Sequence, residues 1–271
     1  WTAEEFMRVA QRDKLANESG QPGAWRFVER LRGQQDGGAR LLSAANNPGV
    51  ERLCALFGGG GGNIEFRRAD GTGASREEPP LVEMTNAALA GLERRSTGCV
   101  LMIEGGAIDF AGHFNQLDSS IGEMIDFENA VRAVVTWVDS PSTVADWTNT
   151  LLIVTGDHEC GYLTADRRVF ANAPLGEVSS RTLALERVVQ STGRRASWED
   201  INNNCEIDVG EAVYWVWHTA AHSNSLIPLY VRGIGASRFD TKFVASDPVR
   251  GQYIDNTAVY QVMRDVLQAP R

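Results

Sequence analysis

Short apolar runs that end in, or abut, carboxylates and imidazoles restrict this chain to folds in which strand ends converge. Val100-Leu101-Met102-Ile103 leads into Glu104-Gly105-Gly106-Ala107-Ile108-Asp109, and His113 lies four residues beyond Asp109. Leu151-Leu152-Ile153-Val154 delivers Asp157-His158, and His222 precedes Leu226-Ile227-Pro228-Leu229-Tyr230-Val231. Apolar runs of this length read as buried strands. Open α/β sheets gather functional groups where strands give way to loops. Carboxylates mixed with imidazoles suit zinc, and carboxylates with water suit magnesium, so the inventory points to a multi-metal hydrolytic site and not to a structural thiolate zinc. A single Asp-His pair reads equally well as a helix cap or polar loop. Recurrence over separate segments carries the argument.

The intervening sequence has helical period. Leu81, Met84, Ala88 and Leu92 fall on one face, as do Ile121, Met124, Val131, Val134, Val135 and Val138. The second of these helices lies between the Glu104 and Asp157 segments, a βαβ unit that predicts parallel strands. Thr2-Ala3-Glu4-Glu5 has capping-box form for an opening helix. A second helix is expected over 25–31, loops over 34–47 and 67–78, and a helix over Glu211 to Trp217. Asp255-Asn256 provides the cap of a last helix carrying Tyr260, Met263 and Leu267. The glycine run 58–62 is not followed by Gly-Lys-Ser/Thr, so it reads as a connection and not a phosphate cradle. The expected fold is α/β, a mainly parallel sheet flanked by helices, and residues 1–271 form one domain with residues 166–221 as an insertion.

The net charge of −9 argues against a nucleic-acid binder, which needs clustered Lys and Arg. It does not exclude a phosphorylated substrate, because divalent cations reverse the sign of an acidic pocket. No apolar stretch approaches the ~18 residues of a membrane span. Cys54, Cys99, Cys160 and Cys205 lack metal-type spacing, and their number permits two disulfides without requiring any. Cys99, opening an apolar run, reads as a core thiol. Trp1 in place of Met, without a leader, reads as a processed, trimmed or excised start.

A second metal candidate lies in the insertion. Asp200, Asn202, Asn204, Asp208 and Glu211 occupy positions 1, 3, 5, 9 and 12 of an EF-hand calcium loop, and Glu206 at position 7 offers its carbonyl. Cys205 stands where glycine normally allows a positive φ. The alternative is a plain Asn-rich turn. A calcium here would pin the insertion and take no part in chemistry.

The stretches Leu101 to His113, Ile121-Gly122-Glu123-Met124, Val154 to Gly161, His222 to Gly233 and Ile254-Asp255-Asn256-Thr257 together resemble the alkaline phosphatase family, particularly its bacterial members. Order and spacing agree from about Leu81 to Val266, with a weaker likeness over 47–57. The resemblance implies two zinc ions and a neighbouring magnesium. Asp109, His113 and His222 match ligands of one zinc, Asp157 and His158 those of the other, and Glu104 a magnesium ligand. Two cations clamp a transferring phosphoryl group from both sides. His218 competes with His222, but the family's histidine precedes a strand ending in glycine, and only His222 has that spacing to Gly233.

The family's Ser or Thr nucleophile, a bridging Asp and usually an Arg precede the matched part, and no segment upstream of Glu104 reads as an Asp-Ser turn into a helix. Asp118-Ser119 and Asp139-Ser140 have the letters but lie inside the matched block, as helix-start and loop residues. The resemblance therefore implies the C-terminal part of a phosphomonoesterase, without its first strands and completed by an N-terminal segment of the same protein. Alternatives are a phosphodiesterase of the same superfamily or an inactive metal-binding fragment. A sulfatase needs an oxidisable Cys or Ser that Cys54 does not match. The family setting is periplasmic or secreted, and a homodimer stays open as an assembly.

Overall fold

The computed structural model describes residues 25–31, 33, 36–58, 66–75, 77–95, 98–166 and 183–268. The expected opening helix and most of the glycine run lie outside them. Strand β1 (Trp25–Glu29) pairs in parallel with β2 (Arg52–Leu56), and helix α1 (Gly37–Asn46) connects them. Both expectations here are corrected. Residues 25–29 are strand because Val28 alternates into a core formed with Leu41, Ala44, Ala45, Phe57 and Ala87. The Gly-rich stretch over 37–46 is helix, with Gly37 and Gly38 buried where the chain passes close to Glu77 and Glu83.

Helix α2 (Leu81–Glu93), short α3 (Ala107–His113) and long α4 (Leu117–Asp139) follow, the first and last where their periodicity placed them. Leu89 of α2 and Val134 and Val138 of α4 share a core with Ile103, Trp147 and Leu152. Arg67 ties the preceding loop to α4. Its guanidinium lies 3.8 Å from Glu123 and 3.3 Å from Asp126, and its backbone N–H donates to Glu123 at 2.6 Å. Burial pushes the Glu123 carboxyl above its ordinary range. Asp118 accepts from the Ala69 N–H at 2.9 Å and Asp139 from the Trp147 indole at 2.6 Å, so both serve as structural acceptors.

Residues 99–104, expected as a strand, form no ladder among the described residues, and Cys99 is exposed instead of buried. Strand β3 (Leu151–Thr155) leads to β4 (Glu159–Cys160) and β5 (Leu163–Ala165). Then come β6 (Glu186–Val189), β7 (Arg194–Trp198), β8 (Val213–Trp217), β9 (His222–Ser223) and β10 (Leu229–Gly233). A 3-10 turn (Ala236–Thr241), the hairpin of β11 (Phe243–Asp247) and β12 (Gly251–Ile254), and α5 (Thr257–Leu267) end the described chain. Asp255 caps α5 through the Thr257 N–H at 3.0 Å.

The expected helix over 211–217 is strand β8. Its aromatic and β-branched residues favour extended backbone, and Trp215 and Trp217 pack on Leu117 and Ile121 of α4. It is a central strand of an antiparallel sheet ordered β5-β8-β7-β6. The strand expected over 226–231 starts later, and β10 pairs antiparallel with β3. The sheet is thus not mainly parallel among the described residues, where β1–β2 is the parallel pair and the other ladders are antiparallel. No cysteine is disulfide-bonded. No helix among the described residues is long and apolar enough to cross a membrane.

Candidate metal centre

Helix α3 carries Asp109 and His113 at i and i+4, which places both side chains on one face. The β4–β9 ladder pairs Cys160 with His222, bringing the imidazole over that face. Ligand atoms of Asp109, His113, Cys160 and His222 all lie within 4.8 Å of one another. His113 Nε2 is 3.3 Å from Asp109 Oδ2, His222 Nε2 is 3.2 Å from Asp109 Oδ1, and the two Nε2 atoms are 3.1 Å apart.

A backbone carbonyl fixes the His113 tautomer. His113 Nδ1 lies 2.7 Å from the Ala220 carbonyl, which only accepts, so Nδ1 carries the proton and Nε2 presents a lone pair to the cluster. Asn115, buried with φ 52°, donates to the Gly112 and Thr219 carbonyls at 2.9 and 2.8 Å. It clamps the end of α3 to the loop before His222. Gly161, at φ 89°, donates to the Ala221 carbonyl at 3.1 Å.

His158 stacks on His222 with ring centroids 3.5 Å apart, and its Nε2 lies 3.2 Å from Asp157, whose side chain is 86% exposed. Glu104 stands apart, an exposed residue at the end of the 99–104 segment where it lines a cleft with Arg67, Glu123 and Asp126. His218 is 2.8 Å from the Thr164 hydroxyl and stays outside the cluster. The structure thus brings Asp109, His113 and His222 together, sets Asp157-His158 against them, and keeps Glu104 separate.

The donor set suits a cation. His158 Nδ1 is buried without a hydrogen-bond partner among the described residues, and Asp109 Oδ1 is buried with His222 Nε2 3.2 Å away. The two Nε2 atoms lie 3.1 Å apart beside the Asp109 carboxylate, and His with Asp is a zinc-type donor set. Cys160 belongs to the cluster although its sequence spacing gave no hint. Burial, then its hydrogen bond to Asp109 and the charges of Asp109 and Glu159, pushes its thiol up to about 12. It is a protonated donor to Asp109 at neutral pH. Asn115 likewise has no sequence signal, because its role depends on two carbonyls a hundred residues apart in sequence.

Within the second candidate loop Cys205 adopts φ 60°, the left-handed turn normally given to glycine. Asp200 accepts from the Asn204 and Cys205 N–H groups, both at 3.1 Å, and Glu211 from Ile201 at 2.8 Å and Asp208 at 2.9 Å. The Asn202 and Asn204 amides both donate to Asp208, at 2.7 and 2.9 Å. Glu206 donates its N–H to Asn204 at 2.8 Å.

The alkaline phosphatase family model matches residues 11–269. Alkaline phosphatase 3 of Bacillus subtilis (strain 168) is 26% identical over 226 residues, 72% of this chain and 45% of that protein. The repressible alkaline phosphatase of Saccharomyces cerevisiae is 36% identical over 105 residues, 36% of this chain and 18% of its own length. The structure of Thermus thermophilus alkaline phosphatase aligns with a TM-score of 0.55 at 18% identity, covering 97% of this chain and 62% of that one. A variant of TAB5 alkaline phosphatase with Mg in its M3 site aligns with a TM-score of 0.53 at 20% identity, covering 90% and 53%. The chain therefore spans about half the length of the Bacillus relative and of these structures. The structural likeness supports an alkaline phosphatase-like α/β fold, and the family match reaches well upstream of the motifs around Glu104. Over nearly its whole length, this chain belongs to the alkaline phosphatase family.

Proposed function

We propose that this chain is the C-terminal, metal-ligand-bearing part of a zinc-dependent phosphomonoesterase, with the attacking hydroxyl contributed by an N-terminal segment. The convergence of Asp109, His113 and His222, whose ligand atoms all lie within 4.8 Å of one another, supports this reading most directly. In it, Asp109, His113 and His222 hold one zinc, Asp157 and His158 a second, and Glu104 a magnesium. Bound zinc supplies Lewis-acid activation and stabilises charge on the transferring phosphoryl group. The protein's own part is placement. Ala220 keeps the His113 proton on Nδ1, Asn115 fixes α3 against the His222 loop, and the stacked rings of His158 and His222 hold each other in position.

Zinc content after dialysis at limiting free metal tests the reading without an activity assay. Stoichiometric zinc in the wild type, lost in Asp109→Asn, is the expected result. Equal zinc in both, or none in either, refutes it. We further propose that residues 166–221 form an inserted unit around the four-stranded sheet, with a calcium-binding loop over 200–211 bearing Asp200, Asn202, Asn204, Glu206, Asp208 and Glu211. The left-handed Cys205 supports the loop geometry. A melting temperature that rises with calcium in the wild type but not in Asp200→Ala is expected, and no rise would exclude it. We also propose a periplasmic or secreted setting, a reading that family membership supports.

A further inference from the structure

Cys160 of β4 pairs directly with His222 of β9, so its thiol and the imidazole stand on the same side of that ladder. A Cβ placed on Gly112 would lie 3.0 Å from Cys160 Cβ and 3.1 Å from its Sγ. Glycine at the position before His113 therefore lets the thiol lie directly on α3. Sγ, the imidazoles of His113 and His222 and the Asp109 carboxylate all lie within 4.8 Å of one another. Zinc bonds of about 2.0–2.1 Å at tetrahedral angles separate N and O donors by about 3.3 Å. The contacts among Asp109, His113 and His222, at 3.1, 3.2 and 3.3 Å, already have that spacing. A zinc-bound sulfur stands about 3.6 Å from such donors, so Sγ has at most about 1.2 Å left to close.

We infer, building on the proposed zinc centre, that Cys160 is a fourth protein ligand of this cation and completes a tetrahedron with Asp109, His113 and His222. His158 is the competing donor. Its ring stacks on His222 with centroids 3.5 Å apart and its Nε2 lies 3.2 Å from Asp157, which leaves it outside the four-residue group. The Cys160 thiol donates to Asp109, and that proton is what zinc replaces. A coordinated thiol is deprotonated outright, because the cation inverts the effect of neighbouring carboxylates. Zinc binding thus forms a Zn–S bond, breaks the S–H bond and releases the proton to solvent. The thiolate and the Asp109 carboxylate together balance the two charges of the ion. With four donors of its own the chain holds zinc without a ligand from elsewhere, and expansion to five ligands still admits a phosphoryl oxygen.

Zinc K-edge X-ray absorption on the 271-residue chain, loaded with equimolar zinc and dialysed, tests this without an activity assay. One sulfur neighbour at about 2.3 Å beside N and O donors at about 2.0–2.1 Å is expected in the wild type. Cys160→Ser, nearly the same size, is expected to lose the sulfur and keep the N and O donors. A wild-type shell of N and O alone overturns the inference and leaves the zinc centre standing, and it does so even where the variant fails to fold. Sulfur that persists in Cys160→Ser comes from Cys54, Cys99 or Cys205 and also overturns it. A wild type that retains no zinc refutes the zinc centre and the fourth ligand together.

Discussion

Gly161→Ala probes how tightly the hairpin before His222 is held against α3. Gly161 has φ 89°, and a Cβ placed there lies 2.4 and 2.5 Å from Cε3 and Cζ3 of Trp217 and 3.0 Å from the Gly112 carbonyl oxygen. Trp217 is 2% exposed and packed on Leu117 and Ile121, so its ring has nowhere to retreat. The left-handed backbone alone costs alanine roughly 1–2 kcal/mol. Overpacking against a fixed aromatic adds about 1–3 kcal/mol. The sum is about 2–5 kcal/mol, which at a urea dependence of ~3 kcal/mol/M lowers the unfolding midpoint by roughly 1 M. Gly71→Ala separates the two contributions. Gly71 has φ 79° but nothing within 4 Å of its added Cβ, so that variant bears the backbone cost alone. Paired urea titrations are expected to place Gly161→Ala about 1–3 kcal/mol below Gly71→Ala. Equal midpoints would refute the claim that Trp217 and Gly112 confine this turn.

His222→Ala is expected to weaken zinc binding by at least ~100-fold in a chelator competition, since even supporting residues of metal sites commonly matter by 10–100-fold. His218→Ala should leave it nearly unchanged, and the reverse order would assign the wrong histidine. Glu186 has its carboxyl raised above the ordinary 4.5, chiefly by burial. The native state therefore holds this proton more tightly than the unfolded chain, so its contribution to stability is fully present below 4.5 and is lost as pH rises through the folded value. Glu186→Gln should gain stability relative to wild type across that window, and denaturation at several pH values showing a flat difference would contradict the assignment. Cys205→Gly relieves a left-handed residue worth roughly 1–2 kcal/mol, against about 0.4–1 kcal/mol of added unfolded-chain entropy. A melting temperature about 1–3 °C higher is expected, and a lower one would show that the Cys205 side chain contributes packing that outweighs its strain.

The sequence is most legible where an element's partners are local. Leu81 to Leu92 and Ile121 to Val138 declare themselves as helices because the helical stripe is complete within each segment, and both are helical in the structure. Asp109 and His113 fall on one face of α3 for the same reason: their spacing already contains their geometry. Helix readings failed where the deciding environment lies elsewhere. Residues 25–29 and 213–217 have apolar positions compatible with either period, and only the cores around Leu41 and around Ile121 decide for strand. Gly37-Gly38 reads as a loop until Glu77 and Glu83 are seen packed against it. Cys160 and Asn115 reach the candidate metal cluster through the β4–β9 ladder and the distant Thr219 carbonyl, neither of which leaves a local pattern.

The failed expectation of a parallel sheet has the same origin. Residues 99–104 carry the composition of a buried strand, yet among the described residues they form no ladder, and Met102 faces solvent. A strand's sequence specifies a surface to be buried, but the ladder that buries it is a property of two strands. Glu104 sits at the end of this segment, apart from Asp109, His113 and His222. The zinc-type cluster is built on α3 and the β4–β9 ladder, so it does not depend on how residues 99–104 pair.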